Sequence, residues 1–301
     1  MCKLTIFTAT YNRGYIIEKL YNSLKRQKEF DFEWLVIDDG SEDNTEQLFE
    51  KWKKEDNKFE IRYYKQENKG LIRTLNRGIK LARGEYFSKI DSDDYLVDSY
   101  TENIFKWIET IKGDENIYGV SGIRGINENT PIKGIWPSID KEVGYIDATD
   151  LERKNYNLDA DMSEAWKTEI LRKYEFPVWK GEKFAPEQIV FFQIALDGYK
   201  IRWFPKIIQI CIYQDDGLTK GSAKLEKENP MGYAMMYNHM LKYSGNLKFK
   251  LRTALQCNIL SIIGKNPLYI LKSNSILCSI IMLPLSFIVI PRRYLQFRKI
   301  Y

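Results

Sequence analysis

Asp91, Asp93 and Asp94 place three carboxylates within four residues, with only Ser92 between them. Carboxylates this close repel one another unless a cation joins them. Their hard oxygens suit Mg²⁺ or Mn²⁺, and Mg²⁺ completes its shell with water and substrate phosphates. The preceding Glu85–Ile90 alternates as a buried strand does. The acids therefore stand at a strand's C-terminal end, where open α/β sheets hold their ligands. An acid there could also cap the helix that begins near Asp98, but one would suffice for that. The expected chemistry is a divalent cation bound together with a diphosphate.

Such a cluster needs a sheet to hold it, and the first 125 residues alternate strand and helix patterns. Strands are expected at 3–8, 32–37, 59–64, 85–90 and 117–123. Helices are expected at 15–25, 43–54, 71–82 and 100–111, the third stopping at Gly84. This order argues for a mostly parallel sheet with helices on both faces. Residues 125–150 are rich in Gly, Pro, Asn and Asp and read as a long loop or small hairpin. Helical spacing returns at 163–173 and 187–196, followed by an apolar β-branched run at 200–213 and helix from about Leu225 onward.

The 301 residues suffice for one large domain and a smaller annex, and 44% hydrophobic content allows a sizeable core. Four scattered cysteines, Cys2, Cys211, Cys257 and Cys278, have neither metal-ligand spacing nor a disulfide framework, which fits a reducing compartment. The opening Met1–Ile6 reads as a strand, so no signal peptide is expected. Charge is unevenly spread. Of 46 Lys and Arg, ten lie after Glu228, and none of the 41 acids does. A mildly acidic body thus carries a basic tail, suited to an anionic partner, either a membrane surface or nucleic acid. Within that tail Ile276–Ile290 is uncharged, with Pro284 in its middle and Lys272, Arg292 and Arg293 flanking it. A helix of that length spans about 22 Å, short of a bilayer core of about 30 Å. A helix or re-entrant hairpin lying in one leaflet is expected.

Four motifs stand in register on the strand ends: Thr8-Ala9-Thr10-Tyr11-Asn12-Arg13, Asp38-Asp39-Gly40-Ser41, Asn68-Lys69-Gly70 before a helix with Asn76, and Gly84-Glu85-Tyr86 leading into Asp91–Asp94. In this order and spacing the chain resembles family 2 glycosyltransferases, inverting enzymes of the GT-A fold that use nucleotide sugars. The resemblance covers about residues 1–125. It implies that Thr10 and Tyr11 flank a nucleotide base, Tyr11 by stacking, and that Asp39 accepts a hydrogen bond from uracil. A carboxylate is the right acceptor for an imide N–H. It also implies that Arg73 faces the nucleotide. The family's metal-binding aspartates fall on Asp91, Asp93 and Asp94, one contacting ribose or sugar and another the ion. Direct ligation is ranked Asp93, then Asp94, then Asp91, with Asp91 and Ser92 on the donor.

Inverting transfer needs a general base for the acceptor hydroxyl. Gly181–Gln188 resembles the family's late acidic motif, although Gln188 stands where its second acid is usual. Glu187 is the chosen base, with Asp161 and Glu182 as alternates. Tyr213–Thr219 resembles an acidic turn of some bacterial surface-polysaccharide enzymes, and Lys220 and Lys224 could close over a diphosphate. His239, the only histidine, sits on an apolar helical stretch and reads as packed.

The sequence thus leads to a GT-A (Rossmann-like) α/β domain over 1–220, with a mostly parallel sheet flanked by helices. A helical, basic, membrane-associating segment follows over 221–301. The expected activity is metal-dependent transfer from a UDP-sugar to a glycan or lipid-linked acceptor in bacterial surface polysaccharide synthesis. The expected place is the cytoplasmic face of the cell membrane. A nucleotidyltransferase would want a Gly-rich basic signature that Thr8–Arg13 lacks. A nucleic-acid module would want aromatics interleaved with Lys and Arg. Tyr294 and Phe297 alternate only weakly with Arg, and no nucleic-acid partner is expected.

Overall fold

The computed structural model describes residues 2–212, 214, 222–243 and 245–298. Two compact units emerge, Met1–Glu175 with Ile194–Tyr213, and Phe176–Gln193 with Gln214–Tyr301.

The first unit is one ten-stranded sheet. Its strands are β1 (Leu4–Thr10), β2 (Phe32–Asp38), β3 (Glu60–Lys65), β4 (Tyr86–Lys89), β5 (Tyr95–Leu96), β6 (Ile117–Asn127), β7 (Thr130–Pro131), β8 (Ile146–Ala148), β9 (Met162–Lys167) and β10 (Lys200–Ile210). They lie in the order β3-β2-β1-β4-β9-β6-β10-β5, with β7 on β6 and β8 on β10. The β3-β2-β1-β4 run is parallel, as is β6 with β10. Between these two parallel groups β9 pairs antiparallel with both β4 and β6. Helices α1 (Glu18–Lys25), α2 (Thr45–Trp52), α3 (Leu71–Leu81), α4 (Tyr100–Thr110) and α5 (Thr168–Leu171) connect the strands.

Both sheet faces are covered, so β2 is buried along its whole length. On one face Tyr21 of α1 and Trp52 of α2 stack with Trp34 of β2. On the other, α3 comes so close to β1 that a Cβ at Gly78 would lie 2.3 Å from the Phe7 ring. The βα order expected over the first 125 residues is present, and residues 125–131 form the small hairpin of β6 and β7.

Residues 163–173 differ from expectation. Instead of one helix they form most of β9 and then the single turn α5. Ala165, Trp166, Ile170 and Leu171 mimic helical spacing, but strand ladders on both edges of β9 satisfy its backbone and override that local pattern.

The second unit is helical: α7 (Ser222–Glu228), α8 (Pro230–Met240), α9 (Leu247–Ile263), a 3-10 helix at Pro267–Lys272 and α10 (Ile276–Arg298). Helix α6 (Gln188–Leu196) runs out of its Phe176–Gln193 segment. Met231 and Ala234 of α8, Cys257 and Leu260 of α9 and Phe297 of α10 share a buried core. The Asn246 side chain caps α9, accepting from the Lys248 and Phe249 amides. The tail's apolar run is not a hairpin. It is one helix of 23 residues, about 35 Å long, that continues through Pro284 and Pro291. Leu277, Ile280, Ile281, Phe287 and Ile288 on it are each more than half exposed.

Candidate functional site

In the first unit β1 lies between β2 and β4, so Thr10, Asp39 and Asp91 come to one edge of the sheet. Two devices fix the ends of β1, β2 and β3 to one another. Asn12 adopts a left-handed φ of 51°, its amide donates to Ser41 Oγ, and its Oδ1 accepts from the Glu42 amide. Asp38 is fully buried and accepts from the Ser41 amide at 2.7 Å and the Tyr63 hydroxyl at 2.5 Å. Burial, with Asp38 next, pushes the Tyr63 hydroxyl well up, so it stays a donor.

Asp39 is 5% exposed and fastens the following loop. It accepts from Gln66 Nε2 at 2.7 Å, the Lys69 amide at 2.9 Å and the Gly70 amide at 2.8 Å. Gly70 has φ 89° and opens α3, a conformation that favours glycine. Arg77 Nη1 donates to Gln66 Oε1, extending the chain from Asp39 to α3. Beside Asp39, the Thr10 hydroxyl is buried with no hydrogen-bond partner. A buried hydroxyl without a partner costs free energy unless a ligand supplies one. Tyr11 is 48% exposed, as a stacking platform must be. Arg73 is half-buried on α3 and donates to the Lys69 carbonyl.

The three aspartates differ in their surroundings. Asp91 has a side chain 39% exposed, with Arg124 Nη1 at 3.1 Å and Lys89 Nζ at 3.7 Å. Burial acts to raise its carboxyl, but Lys89 and Arg124 outweigh it and hold the group below its ordinary value. Asp93 is half-buried and Ser92 buried. Asp94 is turned inward. Its oxygens accept from Gln209 Nε2 at 2.6 Å, Cys211 Sγ at 3.1 Å and the Ile212 amide at 3.3 Å. Burial, then the Asp91 charge, pushes Asp94 up to about 6. Burial and Asp94 likewise push the Cys211 thiol up, so it remains a protonated donor. Arg124 is fixed from behind by donation from its Nε to the Met162 carbonyl.

The sequence reading missed Gln66, Arg77, Arg124, Gln209 and Cys211, which support its residues. It also missed Glu164, a lone acid within Met162–Lys167. The one carboxylate in a strand that also carries Met162, Ala165 and Trp166 was the available signal.

Glu187 lies in the second unit, half-buried just ahead of α6, where its carbonyl accepts from the Val190 amide. Of its alternates, Glu182 is engaged: its two oxygens accept from the Met231 and Gly232 amides at the start of α8, both at 2.8 Å. Asp161 is exposed. His239 packs on α8 with Nε2 3.0 Å from Gln193 Oε1, and burial, then Lys242, pushes it down to about 4. Lys224 is exposed on α7, while Tyr213, Asp215–Thr219 and Lys220 lie outside the described residues.

The family model described as Glycosyl transferase family 2 matches residues 5–160. The chain is 28% identical over 204 residues to the poly-beta-1,6-N-acetyl-D-glucosamine synthase of Staphylococcus aureus (strain COL), covering 67% of this chain and 48% of that protein. It is 24% identical over 217 residues to glycosyltransferase GlyA of Streptococcus pneumoniae, covering 66% of this chain and 31% of that protein. The matched stretch is thus less than half the length of either relative. In fold it is similar to residues 1–349 of S. aureus TarS in complex with UDP-GlcNAc (TM-score 0.62, 17% identity, 98% of this chain and 92% of that one). It is also similar to the mannosyltransferase PcManGT from Pyrobaculum calidifontis in complex with GDP-Man and Mn²⁺ (TM-score 0.53, 16% identity, 99% and 82%).

Proposed function

The chain belongs to glycosyl transferase family 2, and from that premise we propose that it transfers a sugar from a UDP-sugar to a hydroxyl of a glycan or lipid-linked acceptor, with inversion, in surface polysaccharide synthesis. One observation carries this reading: the unpartnered Thr10 hydroxyl and Asp39 share a sheet edge with Asp91 and Asp93. A base held at the first pair and a diphosphate at the second would be joined in one nucleotide sugar. The UDP-GlcNAc bound to TarS and the product in the name of the S. aureus synthase favour a UDP-sugar for a cell-surface glycan.

The donor set was expected to hold Mn²⁺ or Mg²⁺, and its chemistry fits. Asp91 and Asp93 offer carboxylates at the surface, and a cation that keeps water and diphosphate oxygens needs only one or two. Among the described residues no three acidic, His or Cys side chains form a closed cage. Asp94 reaches an ion only by releasing Gln209 and Cys211, so Asp93 leads and Asp94 fixes the turn behind it. When bound, the cation neutralises charge on the departing diphosphate. Glu187 takes the proton of the acceptor hydroxyl as its oxygen bonds the anomeric carbon and the carbon–diphosphate bond breaks.

The second unit supplies the place. The exposed apolar side chains of α10, followed by Arg292, Arg293 and Arg298, suit an anionic leaflet at the cytoplasmic face. By length and composition α10 could also cross a membrane. Sedimentation with phosphatidylglycerol vesicles should pull the protein down, and Leu277→Asp with Ile281→Asp should release it. A protein that ignores such vesicles breaks this part alone. The activity is tested by UDP release from a panel of nucleotide sugars. Release should need Mn²⁺ or Mg²⁺, and full turnover in excess chelator would refute the metal-dependent mechanism.

A further inference from the structure

We infer that Glu164 is a sugar-hydroxyl-binding carboxylate of the transfer site, a deepening that rests on the glycosyltransferase reading. Its position is fixed by the two strands that flank it. β9 lies between β4, which leads into Asp91, and β6, which carries Arg124. Glu164 stands opposite Ser121 of β6, and its carbonyl accepts from Ser88 Oγ of β4 at 2.7 Å. The backbone at Glu164 is therefore held from both sides, three residues short of Asp91 on one strand and of Arg124 on the other.

Its carboxylate is not used by the fold. The side chain is half-buried, yet among the described residues no hydrogen bond or ion pair reaches its carboxylate oxygens. The acids around it are engaged: Asp91 with Arg124, Asp94 with Gln209, and Asp150 with the Tyr118 hydroxyl at 3.1 Å. A half-buried carboxylate loses hydration and must recover it from a partner. Here that partner is left to a ligand.

The chemistry of that ligand follows from charge. A diphosphate is an anion and would be repelled by Glu164. A cation is drawn first to the paired acids of the Asp91–Asp94 turn. What remains is a neutral donor of hydrogen bonds, and a hexose presents several hydroxyls. The charged and titratable groups that act on Glu164 or feel its charge are Arg124 and Tyr118 of β6, Tyr100 of α4, Asp150 and Arg153 before β9, and Asp161 just ahead of that strand. Burial is the largest influence and raises the carboxyl, the two arginines oppose it, and the result is about 7. Ionised, it accepts from a sugar hydroxyl strongly. Protonated, it loses that advantage.

The hydroxyl can belong to the donor sugar or to the acceptor, and one experiment separates them. UDP, UDP-glucose, UDP-galactose and UDP-GlcNAc are titrated into wild type, Glu164→Gln and Glu164→Asp, and UDP release to water is followed from pH 5.5 to 8.5. UDP affinity should be the same in all three proteins. If the hydroxyl is the donor's, Glu164→Gln should weaken the UDP-sugar about 10-fold or more at pH 8. If it is the acceptor's, donor affinity should hold while UDP release to water, in which a water stands in for the acceptor hydroxyl, falls about 10-fold and the rise of rate through pH 7 disappears. Glu164→Asp should keep that rise. The inference is overturned if Glu164→Gln binds and turns over every donor as wild type does at every pH. It is overturned too if UDP and UDP-sugar weaken together, which is the mark of a structural role. A wild-type protein that binds none of the four ligands overturns the donor reading first, and this inference with it.

Discussion

The same sheet carries a charge cluster at each end, and the two ends handle their charges in opposite ways. At the N-terminal ends of the strands, Glu33 is 2% exposed and fully engaged. It accepts from Thr5 Oγ1 at 2.6 Å, the Arg83 amide at 2.7 Å and Arg62 Nη1 at 2.7 Å, while Arg62 also donates to the Leu81 carbonyl. At the C-terminal ends Asp91 stays partly exposed, the Thr10 hydroxyl has no partner, and the Glu164 carboxylate is left over. Similar residue types thus serve two purposes. Where the charges satisfy one another they hold strands together. Where they do not, they wait for something to bind.

Breaking the closed end should cost the most. Arg62→Ala leaves Glu33 buried without its cation and should destabilise the protein by about 3–5 kcal/mol, read from urea unfolding of the apo protein. A loss below about 1 kcal/mol would mean that the N-terminal cluster is no more committed to the fold than the other. The open end should respond in activity instead. Asp93→Asn should lower UDP release by about 10²-fold or more, equivalent to about 3 kcal/mol in the barrier, while stability moves by less than about 0.5 kcal/mol. Unfolding of that variant would erase the contrast. Glu187→Gln should lower turnover by about 10²-fold with donor affinity near wild type, because a base acts as the bond forms. Normal turnover there, with Asp161→Asn inactive yet still binding donor, would move the base to Asp161.

The smallest effect is in pH dependence. Glu164 is pushed up to about 7 by burial. A raised folded-state value means the folded protein holds this proton more tightly than the unfolded chain. Its contribution to stability is whole below about pH 4 and lost as pH rises through 7. The full shift corresponds to about 3.5 kcal/mol. With solvent screening of this half-buried side chain, wild type should lose on the order of 2 kcal/mol from it between pH 4 and pH 8, and Glu164→Gln should flatten that slope. An unchanged slope in the variant would show that Glu164 is no different from the engaged acids.

Much of this end of the sheet was legible because its residues cluster on strand ends in sequence. Asp38, Asp39, Asp91 and Asp94 each sit within a few residues of the strand that presents them, so spacing alone located them. Arg124, Gln209 and Glu164 were not legible for the opposite reason. Each sits inside a strand and outside any motif, and its neighbours in space come from 33 to 115 residues away. β9 was misread as helix because pairing on both edges decided its conformation, and pairing leaves no periodic trace in six residues. In the tail, charge and hydropathy marked the apolar run, but composition did not reveal that one helix continues through both prolines.

The place of β9 has a consequence for how the chain is made. Of the strands joined directly to β4, β1 precedes it in the chain and β9 follows it by more than seventy residues. A chain emerging from the ribosome can assemble β1 to β4 early, but β4 then keeps an open edge carrying Phe87 until residue 167 has been made. Loops of that length close slowly, and an open apolar edge meanwhile is a template for pairing with other chains. Nascent chains halted before Met162 should therefore aggregate or recruit chaperones. Chains released beyond Lys167 should bury that edge, so that the order of synthesis, as much as the finished contacts, sets the yield of soluble protein.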